Sequence, residues 1–149
     1  TINAYLRNLA FCGEAYAYNR YTNYGAIGRW GKQHMPGSAD DVLASGHAYS
    51  AGYDLVTAYD DVMSRFNDLI GVQRLKVMHL NDSKTPFASK RDRHELIGAG
   101  SIGEKGFRNV MNDPRLATVP KIIETPKGSD PTATDAAMLA RLRGYIVSE

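Results

Sequence analysis

Cysteine is nearly absent. Cys12 is the only one in 149 residues, so no disulfide can form within the chain, and this usage fits a reducing, cytoplasmic setting. No uncharged apolar run approaches the roughly 20 residues a membrane-spanning helix needs, and the opening residues carry no secretory pattern. We therefore expect no membrane partner. Neither sign of charge is in large excess. A formal net charge of +2 is too small to argue nucleic-acid binding from composition, so any such contact needs a local basic patch. The chain opens on Thr1 without an initiator methionine, which is consistent with a processed or engineered terminus. A hydrophobic content of 43% and a charged content of 23% are those of an ordinary globular domain with a real core.

Residues 1–40 form an aromatic segment unlike the rest of the chain. Tyr5, Tyr16, Tyr18, Tyr21 and Tyr24 are five of the nine tyrosines, and the only tryptophan, Trp30, lies here too. Leu6, Leu9, Ala10 and Phe11 approximate a 3.6-residue period and predict a short helix from Asn3 to Tyr16. The stretch after it is rich in Gly and Asn, carries Pro36 near its end, and reads as loop. Its aromatics and arginines suit stacking on bases or, more commonly, filling a core or an interface between copies.

From Asp41 to Glu149 the pattern becomes strand, helix, strand, helix. Strands are expected at Asp41–Ser45, Leu75–Leu80 and Lys121–Thr125. An amphipathic helix is expected at Thr57–Ile70, with Tyr59, Val62, Met63, Phe66, Leu69 and Ile70 on one face. A second is expected at Glu104–Asn112, with Phe107, Val110 and Met111 inward, an acidic first turn and an N-cap near Ser101. The last runs over Thr132–Val147. Three successive β/α units imply a parallel sheet in an α/β fold.

Polar chemistry concentrates in Val77–Gly103. His79 sits at the carboxyl end of the middle strand, and the polar stretch beyond it carries Asp92 and His94. Those two are one residue apart, so an extended backbone points both to the same side. Two imidazoles and a carboxylate converging in this way make a borderline N/O metal site suited to zinc or a similar divalent ion. Lys84, Lys90, Arg91 and Arg93 make the same loop locally basic, either to touch phosphates or simply as a solvated face. Gly98, Gly100 and Gly103 form a G-x-G-x-x-G string, but no strand leads directly into it, so it reads as a turn-rich loop rather than a dinucleotide fingerprint.

Met78-His79-Leu80-Asn81-Asp82 with Lys84, and Asp92-Arg93-His94 followed by Gly98, Gly100, Ile102 and Gly103, resemble the endonuclease IV family of zinc-dependent apurinic/apyrimidinic endonucleases. The resemblance extends upstream to Gly46–Leu55 (GHAYSAGYDL) and downstream to Ile122–Gly128 (IIETPKG), covering roughly residues 42–149. It implies a (β/α)₈ barrel, zinc, and hydrolysis of phosphodiesters at abasic sites in DNA. It also implies that His47, His79, Asp92, His94 and Glu124 match family zinc ligands, with His47, Asp92 and His94 as one complete set and His79 and Glu124 as half of another. Lys84 and Arg93 are then candidates for DNA contact.

The departures set a second expectation. Ala44 stands where the family has an aspartate three residues before the histidine, and residues 1–40 match none of the family's earlier ligands. Barrels of this kind need about 200–250 residues. The chain is therefore expected to be a partial barrel of about three units, resembling the C-terminal part and completed by homo-oligomerisation. Four functional readings stay open. They are a zinc-binding relative with little activity alone, an active nuclease completed by a partner subunit, a sugar isomerase or epimerase of the same superfamily, and a structural protein without catalysis. For single residues the bland alternatives are a structural or helix-capping His47 and a His79 hydrogen-bonded to a neighbour at its strand end.

Overall fold

A computed structural model of the chain describes residues 42–69 and 71–147, with Val42, Leu43 and Leu69 described by their backbone alone. The expected helix at Asn3–Tyr16, the rest of residues 1–40, Asp41 and Ile70 lie outside the described residues, as does the Leu69 side chain.

A three-stranded parallel sheet carries the fold. It consists of β1 (Val42–Ala44), β2 (Val77–Leu80) and β5 (Lys121–Ile123), with β2 in the centre. Ala44 stands opposite His79, and His79 opposite Ile122, so one cross-sheet row joins the carboxyl ends of all three strands. The strands are shorter than the apolar runs that predict them. β2 begins at Val77 because Leu75 follows a 3₁₀ turn over Val72–Arg74, and β5 stops at Ile123, one residue before Glu124.

β1 also ends early. Ser45, expected in the strand, instead opens helix α1 (Ser45–Ala51), which Gly52 closes in the left-handed region at φ 108°. Helix α2 (Tyr59–Leu69) starts two residues later than expected and turns Tyr59, Val62, Met63 and Phe66 into the core. Helix α3 (Gly103–Met111) buries Phe107 and Val110, and helix α4 (Pro131–Gly144) buries Met138 and Leu142. Asp130 caps α4 by accepting from the Ala133 amide at 2.9 Å, with Pro131 in the first turn where its missing N–H costs nothing. Phe66, Phe107, Met63, Met78, Leu80 and Ile97 are fully buried at the centre.

The helix α3 start corrects another expectation. Ser101 does not cap it. Asp82, fully buried, accepts from the amides of Ser83 (2.8 Å), Gly100 (3.0 Å), Ile102 (2.9 Å) and Gly103 (3.2 Å), so its carboxylate takes up the free donors at that helix end. Asp82 belongs to β3 (Asp82–Ser83), which pairs antiparallel with β4 (His94–Glu95). The segment read as an open polar loop is thus a closed hairpin. Its tip is tied back to α1 by the amides of Ala88 and Lys90, which donate to the carbonyls of Tyr49 at 3.2 Å and Ser50 at 2.9 Å.

Candidate metal centre

Each candidate side chain is delivered by the end of a strand or by the segment just after it. His47 lies in the first turn of α1, directly after β1, and is 1% exposed. His79 is the penultimate residue of β2, at the same end of the sheet. Asp92 and His94 come from the returning arm of the hairpin, and Glu124 follows β5. The one-residue spacing of Asp92 and His94 does put both on one side.

These residues converge. The Asp92 Oδ2 atom lies 2.9 Å from His47 Nε2 and 3.1 Å from His94 Nε2, so one carboxylate oxygen joins two imidazoles. His79 Nε2 lies 3.2 Å from Glu124 Oε2. The two groups adjoin, because the His94 ring stands edge-on to both His47 and His79 with centroids 6.3 and 6.2 Å apart.

The electrostatics follow from these contacts. Burial alone would raise the Asp92 carboxyl, but the bonds and charges of His47 and His94 outweigh it and hold the group well below the usual carboxylate range. Burial would likewise lower His94, yet the Asp92 carboxylate prevails and raises it, helped by Glu124. His79 goes the other way: burial lowers it, and the Glu124 carboxylate offsets only part of that.

The donor set fits a divalent ion. Ligands about 2.0–2.1 Å from one tetrahedral zinc stand roughly 3.3 Å from each other. The His47–Asp92 and His94–Asp92 separations of 2.9 and 3.1 Å are close to that. Asp92 Oδ1 is buried with no hydrogen-bond partner among the described residues, a costly arrangement that a cation would relieve. His47, Asp92 and His94 could therefore hold one zinc, and His79 and Glu124 could contribute to another. Among the described residues, no group of three or more such side chains stands arranged to hold a metal ion; the carboxylate oxygen instead meets both rings directly, at 2.9 and 3.1 Å.

Lys84 and Arg93 stand outside this centre. They face each other across the hairpin, with the Lys84 amide donating to the Arg93 carbonyl at 2.8 Å, and both are exposed. Lys84 Nζ is 4.0 Å from Glu95, and Arg93 donates to the Asp92 carbonyl at 2.9 Å. Ser45, which reaches the His79 carbonyl, and Asn81, whose side chain and Asp92 Oδ1 both crowd Gly46, also adjoin the centre, and no sequence pattern marks them as site residues. Their signal is only partial: small polar residues directly after strands, where no apolar period exists to pick them out.

The family model described as xylose isomerase-like TIM barrel matches residues 42–142. The chain belongs to that family. Within it, the chain is 52% identical over 99 residues to a probable endonuclease 4 of Trichlorobacter lovleyi and 52% identical over 81 residues to one of Akkermansia muciniphila. These matches take in 65% and 54% of this chain but 35% and 29% of the relatives, so the chain spans about a third of their length. The crystal structure of endonuclease IV from Thermus thermophilus superposes with a TM-score of 0.62 at 36% identity, over 70% of this chain and 37% of that one. The resemblance read from the motifs is thus shown, and the three parallel β/α units are part of the family's barrel. Membership of the family explains the site's position, since such barrels carry their chemistry at the carboxyl ends of the strands. No helix among the described residues is long and apolar enough to cross a membrane.

Proposed function

We propose that this chain is a zinc-binding relative of the apurinic/apyrimidinic endonucleases, directed at abasic sites in DNA and weak or inactive as a single chain. The observation that carries the reading is Asp92 Oδ2 standing between His47 Nε2 and His94 Nε2, at the strand ends where this barrel family keeps its sites. His47, Asp92 and His94 hold one zinc, while His79 and Glu124 supply part of a second set. When bound, zinc provides Lewis acidity toward a phosphodiester and lowers the pKa of water at the site. Asp92 would align the two imidazoles through its Oδ2 atom, and His94 would serve as a ligand in its neutral form. In this reading Lys84 and Arg93, both exposed on the hairpin, meet the phosphate backbone. Their part is positioning, with no information about base sequence.

One zinc cannot clamp a phosphate between two ions, so full activity in this reading needs further ligands from a partner subunit, in a homo-oligomer. Among the described residues β1 and β5 each pair with a strand on one side only, and Ile122 on β5 is 51% exposed, which supports such an assembly. The division into an N-terminal segment, residues 1–40, and a partial barrel, residues 41–149, belongs to the same proposal, as does a reducing, cytoplasmic setting.

Elemental analysis with sedimentation tests it. About one zinc per chain in a self-associated protein is expected, with slow, chelator-sensitive cleavage of a duplex carrying an abasic site. A metal-free monomer that leaves the duplex intact would favour a structural protein instead.

A further inference from the structure

We infer that Ser45 is a positioning residue that sets the distance between the two histidine-bearing strand ends, β1–α1 with His47 and β2 with His79. β1 leaves the ladder at Ala44, opposite His79, because the chain turns into α1 at Ser45. That departure strips the backbone of Asn81 of a partner just where Asn81 is fully buried. The Ser45 hydroxyl replaces the missing strand. It accepts from the Asn81 amide at 3.1 Å and donates toward the Asn81 carbonyl at 2.9 Å, with the His79 carbonyl at 3.4 Å beside it. Ser45 is itself fully buried, so water cannot substitute for it.

Gly46 completes the junction. A Cβ there would collide with the Asn81 side-chain amide and come within 3.2 Å of Asp92 Oδ1. Asn81 is short and fully buried, so it has no room to yield. One hydroxyl and one absent side chain thus decide how closely the His47 turn approaches the His79 strand end and the Asp92 carboxylate. Ser45 touches neither metal nor substrate in this scheme. It acts through the backbone of the segments that carry the ligands, and the inference rests on the zinc-site reading above for its functional meaning.

The test compares Ser45→Ala with the conservative Ser45→Thr and the weaker donor Ser45→Cys. In metal-free protein, long-range imidazole NMR spectra of Ser45→Ala should show the His47 and His79 resonances shifted and broadened relative to wild type, with Ser45→Thr restoring them. In zinc titrations by competition with a chromogenic chelator, Ser45→Ala should bind about 10–100-fold more weakly, the range for loss of a residue that orients a ligand. Ser45→Cys should fall between. If Ser45→Ala does not fold, Ser45→Cys decides alone. Wild-type-like ring spectra and zinc affinity in Ser45→Ala or Ser45→Cys overturn the inference. A wild type that takes no zinc overturns the metal reading instead, and the ring spectra then decide the positioning role.

Discussion

Two buried aspartates of this chain, Asp92 and Asp113, are each 6% exposed, yet they are built to different ends. Asp113 is saturated. Arg115 grips it through Nε at 2.9 Å from Oδ1 and through a terminal nitrogen at 2.8 Å from Oδ2, and the Tyr59 hydroxyl donates to Oδ2 at 2.8 Å. Asp92 instead shares one oxygen between two imidazoles and leaves the other, buried, without a hydrogen-bond partner among the described residues. Both carboxyls are held below their ordinary range against the opposing pull of burial. The difference lies in the partners. A guanidinium never gives up its proton at ordinary pH, so the Asp113 network can only hold the fold together. Imidazoles do give theirs up near neutrality, so the Asp92 cluster can exchange protons for a metal ion.

Exchanging each aspartate for asparagine should break the comparison most sharply. Asp92→Asn is expected to reduce bound zinc from about one per chain to a trace, because the shared oxygen loses its charge. Asp113→Asn should keep its zinc and lose about 1–3 kcal/mol of stability, a drop in Tm of roughly 3–10 °C. Elemental analysis and thermal unfolding of the same preparations check both. Zinc lost equally from the two variants would mean that Asp92 is only another structural carboxylate.

Next in size is the pH dependence of the metal-free protein. His94 is raised in the folded state, so the stability it adds is fully present below about pH 6.5 and is lost as pH rises through the folded value. His79 is lowered, so its contribution has the opposite sign and is lost as pH falls. Asp113 is lowered and Tyr59 raised, which keeps their network whole between about pH 4 and pH 10, with losses only outside that window. His94→Gln should therefore cost more stability at pH 6 than at pH 8.5, whereas Tyr59→Phe should cost about 1 kcal/mol at both. Thermal scans of each variant across this range read the contrast directly. A His94→Gln penalty independent of pH would remove the distinction between the two clusters.

The two regions are also unequally legible in the sequence. Val77–Leu80 and Lys121–Ile123 stand out because short apolar runs flanked by turn residues read as buried parallel strands. Helix α2 stands out because Tyr59, Val62, Met63 and Phe66 repeat at helical spacing. Helix α1 escapes for a physical reason: Ser45 through Ser50 are all buried, so SGHAYSA has no exposed face and shows no amphipathic period. The hairpin of β3 and β4 escapes because each arm is two residues long. Sequence rules favour Ser101 over Asp82 as a cap because they look just upstream of a helix, while Asp82 reaches the helix α3 amides from another strand. The convergence of Asp92 and His94 is legible from their spacing. The approach of His47, His79 and Glu124 is legible only through the family motifs, since parallel register, not local pattern, brings three strand ends together.

Glu124 offers the smallest effect and the finest division of the site. Its side chain is 54% exposed and stands 3.2 Å from His79 Nε2, so solvent screens most of that attraction. Glu124→Gln should change stability by less than about 1 kcal/mol, shifting Tm by at most a few degrees. Zinc held by His47, Asp92 and His94 should stay near one per chain, because Asp92 Oδ2 joins the two imidazoles without Glu124. Any additional zinc taken up at higher concentration should be lost, since His79 alone is a single donor. The same titration on His79→Ala should give the same result if the two residues act as one half-set. If Glu124→Gln instead empties the first zinc, the two groups form one continuous site, and the edge-on His94 ring between them is its centre rather than its boundary.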